Sequence, residues 1–336
     1  MIHIQSERVH DIVARFPKTK VLVIGDVMLD EFVWGRVSRI SPEAPVPVVE
    51  VRSRSMMPGG AANVVSNIRS LGAQAAIIGI CGKDLYGQTL KKKLQENEVD
   101  TEGLLEDPSR PTSLKTRIIA HHQQVVRVDE ESHAESSDGI RSQLEGMLDK
   151  KIREADIVAV EDYDKGLIDQ KLLSQVIALC QKYKKPVVID PKKGHFLEYK
   201  GATILTPNKI EALAALGFEK EDRAPTTDEL GPLLLKKWGC LNVLVTLGEE
   251  GMILTTDHEK KSFHIPAVAR EVFDVSGAGD TVVAAFAASL ASGASMKEAA
   301  EISNYAAGVV VGKVGTATVT IAELYREMKI EHILES

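Results

Sequence analysis

Six short apolar runs recur along the chain: "KVLVIGD" (20–26), "AAIIGICG" (75–82), "ADIVAVED" (155–162), "PVVID" (186–190), "ATILTPN" (202–208) and "NVLVTLG" (242–248). A strand that keeps one face in water alternates polar and apolar residues, whereas a strand covered on both faces reads as a continuous apolar run. Between the runs lie stretches with helical periodicity at 61–71, 84–97, 138–154, 169–184, 208–216 and 226–238. Strands of this kind alternating with helices constrain the chain to an α/β fold, a mainly parallel central sheet with helices on both faces.

Two regions break the rhythm. Residues 30–54 and 113–129 alternate apolar with polar positions, are rich in β-branched residues and are punctuated by Pro or Gly. They are expected to be antiparallel strands with one wet face, meeting in a small second sheet. That sheet reads equally as a lid over the open edge of a binding site and as a dimer surface. Within it "SPEAPVPVV" cannot be a central strand or a helix, and is expected to form a rigid lid edge that brings Ser41 or Glu43 toward a ligand. His121 and His122 fall at a hairpin tip and are given no chemistry. With no internal repeat or low-complexity tract, residues 1–336 read as one domain with the lid segments inserted in its core.

A chain of 336 residues can bury a full core and enclose a pocket. Its 41 basic and 48 acidic residues leave a formal charge of −7, with no dense basic block beyond "KKK" at 91–93, which disfavours nucleic acid or an anionic membrane as partner. Cys81, Cys180 and Cys240 are odd in number and lack metal-ligand spacing, so they read as reduced core thiols. No apolar run reaches the ~18 residues of a membrane span. A cytoplasmic location is expected.

The usual phosphate loops fail. In "GVVVGKV" (308–314) the glycines stand one residue too close for a P-loop, and Lys313 is followed by valine. "GAGDTV" has valine where a dinucleotide fingerprint needs its third glycine. Residues 273–281, "FDVSGAGDT", offer another device just before an alanine-rich run over 282–291. Small side chains at Gly277, Ala278 and Gly279 let backbone N–H groups converge on an anion at a helix start, aided by the helix dipole. Asp280 is too strongly repelled by a polyphosphate to be its ligand, and is better placed to accept a proton from an attacking hydroxyl. Taken alone, the stretch reads equally as a capped buried helix.

"PGGAANVVSNIRSLG" (58–72) and "DVSGAGDT" resemble the two signature regions of the pfkB, or ribokinase-like, carbohydrate kinases. The likeness continues through "VLVIGDVMLD", "GKDLYGQTLKKKL", "DPKK", "TPNKIE", "VTLGEEG" and "NYAAGVVVGKVGT", nearly the whole chain in order. Within that family, "GDVMLDEFVWGRVSRISPEAPVPVVEV", "EDYDKG" and "AAGVVVGKVGTATV" are similar to the kinases that phosphorylate D-glycero-D-manno-heptose 7-phosphate at C1 on the way to ADP-heptose and the lipopolysaccharide inner core. Many of those kinases are fused to a nucleotidyltransferase with an HxGH motif. This sequence has none, so adenylyl transfer is not expected of it.

The resemblance implies a ribokinase-like fold, ATP as phosphoryl donor and Mg²⁺ as its companion. It makes Asp280 the catalytic base and Gly277, Ala278 and Gly279 the anion hole. Asp30, Gly59, Gly60 and Asn63 would hold sugar hydroxyls, although a surface turn at Asp30 and a helix cap at Asn63 are the plainer readings. In "TPNKIE", residues Asn208, Lys209, Ile210 and Glu211 would lie by the triphosphate. Glu211 would organise Mg²⁺ through water, and a capping pair is the alternative for Asn208 and Glu211. Thr246, Gly248 and Gly251 would meet nucleotide phosphate and ribose, or form a plain turn, and Asn304 would lie near adenine. A monovalent cation such as K⁺ would sit near Asp274 and the 311–316 loop. A substrate phosphate needs a cationic holder remote from Asp280, for which Lys165, Lys192, Arg117 and Arg127 are candidates, each on its own reading as a solvated charge. Two other readings stay open: a kinase of another sugar such as fructose or ribose, and a sugar sensor on the same fold. The lid invites homodimerisation by edge or face.

Overall fold

The computed structural model describes residues 4–121, 123–134, 136–218, 225–259, 261–268 and 272–330, so His122 lies outside the described residues. In chain order its strands are β1 (Lys20–Gly25), β2 (Val27–Ile40), β3 (Pro47–Gly60), β4 (Gln74–Gly82), β5 (Asp100–Asp107), β6 (Ser113–Ala120), β7 (Gln123–Glu130), β8 (Ile157–Glu161), β9 (Val187–Asp190), β10 (Ile204–Leu205), β11 (Asn242–Thr246), β12 (Met252–Thr256) and β13 (Ser262–Ile265). Nine of them form one sheet in the order β13-β12-β11-β10-β9-β8-β1-β4-β5. From β11 through β5 every neighbouring pair is parallel, and β12 and β13 extend the far edge antiparallel.

Helices cover both faces, and the apolar strand residues divide between them. Val21 and Val23 of β1 join the cluster under α1 (Ser6–Val13), α2 (Ala61–Ser70) and α3 (Leu85–Glu96). Leu22 and Ile24 join the opposite cluster, under α4 (Asp138–Glu154), α5 (Gln170–Tyr183), α6 (Lys209–Ala215) and α7 (Thr227–Trp238). α8 (Ala278–Ala291) and α9 (Met296–Val310) pack on the first face, before the chain closes with α10 (Ile321–Met328). α8 is buried from Asp280 through Ser289, which explains its alanine-rich, non-amphipathic sequence.

Three strands absent from the sequence reading are β5, β12 and β13. "DTEGLLED" reads too acidic for a buried strand, and it succeeds as an edge strand whose sheet partner, among the described residues, is β4 alone.

The second sheet has four strands, in the order β3-β2-β6-β7. Its expected antiparallel arrangement needs correction, because the central pair β2–β6 runs parallel. β2 follows β1 and β6 follows β5, both parallel strands of the main sheet, so both enter the lid from the same edge and point the same way. β7 is exposed along its whole length. The tip 41–46 closes on itself, with the Glu43 N–H donating to Ser41 Oγ at 3.1 Å.

The lid stands over the carboxyl edge of the main sheet, where the site is assembled. There Gly25, Glu161 and Asp190 occupy one register row across β1, β8 and β9. An isolated bridge between Asn208 and Thr246 continues that edge.

Candidate active site

α8 begins where the backbone turns through Gly277, at φ +76°, a conformation glycine adopts without strain. A Cβ at that position would lie 2.5 Å from Asn63 Nδ2. The small residue therefore permits both the turn and the approach of Asn63. Within the first turn of the helix, Asp280 is 2% exposed and gripped on both oxygens: the Tyr163 hydroxyl donates to Oδ1 at 2.6 Å and Asn63 Nδ2 donates to Oδ2 at 2.8 Å. Asn63 is itself oriented, since Asn67 Nδ2 donates to its Oδ1 at 3.1 Å while Asn67 Oδ1 accepts from the Val319 N–H at 3.2 Å. Burial raises the Asp280 carboxyl to about 6, with the Tyr163 and Asn63 donors and Lys192 pulling down and Asp30 pushing up. A carboxyl in that range can both accept and release a proton near neutral pH.

Around Asp280 the strand ends add further carboxyls. Glu161 is wholly buried, and neither of its oxygens has a partner among the described residues. Burial and the charges of Asp190, Asp280, Asp162 and Glu211 hold it well above the usual carboxylate range. Asp190 is pushed up in the same way and accepts from Thr206 Oγ1 at 2.7 Å. Asn208 and Glu211 form a capping box: Asn208 Oδ1 accepts from the Glu211 N–H at 2.9 Å, and Glu211 Oε2 accepts from the Asn208 N–H at 3.0 Å. The capping alternative thus describes their local geometry, and it also fixes Glu211 beside Asp190. Among the described residues no three His, Cys, Asp or Glu side chains stand close enough to hold a metal directly.

On the lid side Asp30 pairs with Arg117, which also lies over the Phe32 ring at 5.3 Å. A Cβ on Gly59 would run into Asp30 Oδ2, and Gly60, at φ +57°, lets the chain pass the Asp26 carbonyl. Asp26 Oδ2 accepts from the N–H groups of Tyr163 at 2.9 Å and Lys165 at 3.1 Å, fastening the 162–166 loop that carries Tyr163. Lys165 Nζ is paired with Glu131 at 2.8 Å, and Lys115 reaches the same carboxylate at 3.4 Å. Arg127 pairs with Asp129 on the exposed strand β7. Lys192 is not remote from Asp280: its Nζ lies 5.3 Å from the Tyr163 ring centroid, and it acts electrostatically on Asp190, Glu211 and Asp280.

The residues expected to meet the nucleotide gather around a cleft of about 520 Å³ between the β11–β12 turn and α8–α9. Thr246, Gly248, Gly251, Ala278, Gly279 and Asn304 line it. Asn304 Nδ2 donates to the Pro266 carbonyl at 2.8 Å, and nothing stands within 4 Å of where a Gly279 Cβ would point. Lys209 pairs with Glu250 at 3.1 Å and Ile210 is exposed, and neither lines the cleft. Asp274 accepts from the N–H groups of Ser276 at 2.9 Å and Gly315 at 3.0 Å, which holds its carboxyl below the usual range. His121 turns outward and contacts the Val37 carbonyl.

Sequence reasoning missed Tyr163, Asp26, Asn67, Glu161 and Lys115. Only Asp26, the acid closing the first strand run, had a local signal; the others matter through partners distant in sequence.

A family model described as "pfkB family carbohydrate kinase" matches residues 18–322. The bifunctional protein HldE of Desulfatibacillum aliphaticivorans is 44% identical over 330 residues, covering 98% of this chain and 67% of the relative. That of Trichlorobacter lovleyi is 43% identical over 324 residues, 96% and 66% respectively. The chain thus spans about two thirds of the length of these curated relatives. Among solved structures, the ribokinase of Arabidopsis thaliana complexed with ribose and ATP superposes with TM-score 0.71 at 21% identity over 93% of this chain and 99% of that one. Phosphofructokinase-2 of Escherichia coli in complex with potassium gives 0.74 at 18% identity over 93% and 98%. At those identities the solved structures establish the fold.

Proposed function

The chain belongs to the pfkB family of carbohydrate kinases, and from that premise we propose that it uses ATP to phosphorylate D-glycero-D-manno-heptose 7-phosphate at the C1 hydroxyl. The product is the 1,7-bisphosphate used in ADP-heptose and lipopolysaccharide inner-core synthesis. The observation that carries the reading is Asp280, a buried carboxylate gripped by two donors at the start of a helix capped by Gly277 and opened by Ala278 and Gly279. Asp280 takes the proton of the C1 hydroxyl, whose oxygen attacks the γ-phosphoryl group as ADP leaves. The N–H groups at the helix start face the charge that develops on the transferred group. The choice of heptose is supported by the likeness to the two HldE proteins and by the lid sequence "RISPEAPVPVV".

We place the sugar between Asp30, Gly59, Gly60 and Asn63, and the nucleotide in the cleft lined by Thr246, Gly248, Gly251 and Asn304, with the Asn208–Glu211 turn at its phosphates. Mg²⁺, when bound with ATP, supplies charge neutralisation at the phosphates. The carboxyls of Glu161, Asp190 and Glu211, which outnumber Lys192 as their nearby cation, suit a metal ion held through its water. A monovalent ion such as K⁺ is assigned to Asp274 and the 311–316 loop. Residues 1–336 act as one kinase unit in the cytoplasm, a compartment that suits its three free cysteines. It pairs through lids that leave Val126, Val128, Val51 and Ile40 exposed.

ADP release with heptose 7-phosphate, fructose 6-phosphate and ribose as acceptors tests the reading. Heptose 7-phosphate is expected to be preferred. Turnover of either other sugar without it overturns the substrate, and sugar binding with no ADP release from any acceptor favours a sensor.

A further inference from the structure

Tyr163 is the donor to the base that no sequence signature announces. Its hydroxyl lies 2.6 Å from Asp280 Oδ1. Its backbone is fastened by Asp26, and its loop is closed behind it by His195, whose Nδ1 lies 2.8 Å from Asp162 Oδ2. The other face of its role is the ring, over which Lys192 Nζ stands at 5.3 Å. One side chain therefore touches the carboxylate that would remove the sugar proton and supports the cation nearest the strand-end carboxyls.

We propose that Tyr163 is a positioning residue for phosphoryl transfer, holding the Asp280 carboxylate in one rotamer through its hydroxyl and seating Lys192 beside the transferred group with its ring. This deepens the kinase reading above and rests on Asp280 being its base.

The chemistry of the surroundings explains why a phenol is suited to the task. Asp280 is faced by Asn63 from α2, Asp30 from the lid, Lys192 from the loop after β9, and the carboxyls of Glu161 and Asp190 at the strand ends. A cationic donor in contact with Asp280 would make it too weak a base. A phenol donates without adding charge, and burial among these carboxyls keeps it protonated and therefore a donor. Each Asp280 oxygen carries two lone pairs, so the grip of Tyr163 and Asn63 leaves room for the sugar hydroxyl to donate as well.

The test is Tyr163→Phe, which keeps the ring under Lys192 and removes only the hydroxyl. kcat and kcat/KM for ATP and heptose 7-phosphate are measured from pH 5 to 9 in the intact chain, beside Asp280→Asn, with thermal unfolding and ADP binding as controls for folding. Loss of a donor that favours the charged form raises the Asp280 pKa. The acid limb of the profile should move to higher pH, and kcat should fall about tenfold, the effect of one lost hydrogen bond, while the KM for ATP changes little. Wild-type kcat with an unmoved limb overturns the proposal. A uniform loss at every pH with an unmoved limb does so too, because it marks a packing role. Full activity in Asp280→Asn overturns the base assignment itself, whatever Tyr163→Phe does.

Discussion

Asn63 and Asp280 are 217 residues apart in the chain and meet at 2.8 Å, both buried, at the junction of α2 and α8. The contact joins the two glycine-rich segments of the sequence. It is one link in a buried series running from the Val319 N–H through Asn67 and Asn63 to Asp280. Because Asn67 donates to the Asn63 carbonyl oxygen, the Asn63 amide nitrogen has to face Asp280.

Asp280→Asn should retain the fold and nucleotide binding while turnover falls about 10²–10⁴-fold, the share general-base catalysis supplies. The same variant makes a stability prediction with a definite sign. A carboxyl raised by burial from its ordinary 3.8 to about 6 is destabilising once ionised, so the wild type loses stability as pH rises from 3.8 to about 6. The Asn variant should therefore be more stable than the wild type at pH 8, by roughly 1–3 kcal/mol, and melt correspondingly higher, and the difference should close near pH 4. Paired melting curves at the two pH values check it, and a gap that widens toward acid would contradict the assignment.

Gly277→Ala places a Cβ at φ +76° and 2.5 Å from Asn63 Nδ2. Backbone strain of this kind costs of order 1–3 kcal/mol, and displacement of Asn63 disturbs the grip on Asp280. Both the unfolding midpoint and kcat should fall. Gly279→Ala is the control: nothing stands within 4 Å of its Cβ, so the unfolding midpoint should hold while a methyl group entering the cleft raises the KM for ATP.

These residues show how far the sequence carries. The apolar runs and the "GAGD" turn announce a parallel sheet and a helix start because both rest on local chemistry: burial on two faces, and small residues where backbone must be exposed. The direction of β2 against β6 does not appear in alternation, which reports faces and not polarity. Tyr163 escapes for another reason. Its side chain is an ordinary aromatic until Asp26, 137 residues earlier, pulls its N–H into place and turns the ring toward α8. Lys192, expected remote from Asp280, lies instead over the Tyr163 ring beside Asp190, because the turn after β9 follows the row of strand-end acids.

Gly59→Ala separates the two halves of the site. Its Cβ would run into Asp30 Oδ2 in the lid, and neither residue lines the cleft that Gly279 lines. The KM for the sugar phosphate should rise about tenfold or more, the effect of ~1.4 kcal/mol of lost contact, with the KM for ATP unchanged. Initial rates with each substrate varied in turn decide it. An equal rise in both constants would place Asp30 outside the sugar site.

Arg117→Met tests the charge balance beneath the lid. Asp30 is buried and raised by that burial, and Arg117, ahead of Lys115 and Arg127, is the main charge holding it down. Methionine keeps the stem that covers Phe32 but leaves the carboxylate without its partner. Removing one member of a buried pair costs about 3–5 kcal/mol, and here the cost depends on pH. The Asp30 carboxyl in the variant rises further above its ordinary value, so its ionisation destabilises the fold above that value and ceases to matter once the group is protonated. Urea midpoints should therefore show a large deficit at pH 8 that narrows toward pH 5, accompanied by a higher KM for the sugar phosphate. A deficit equal at both pH values would mean that Arg117 acts through its guanidinium over the Phe32 ring, and that the ion pair with Asp30 contributes nothing to holding the lid.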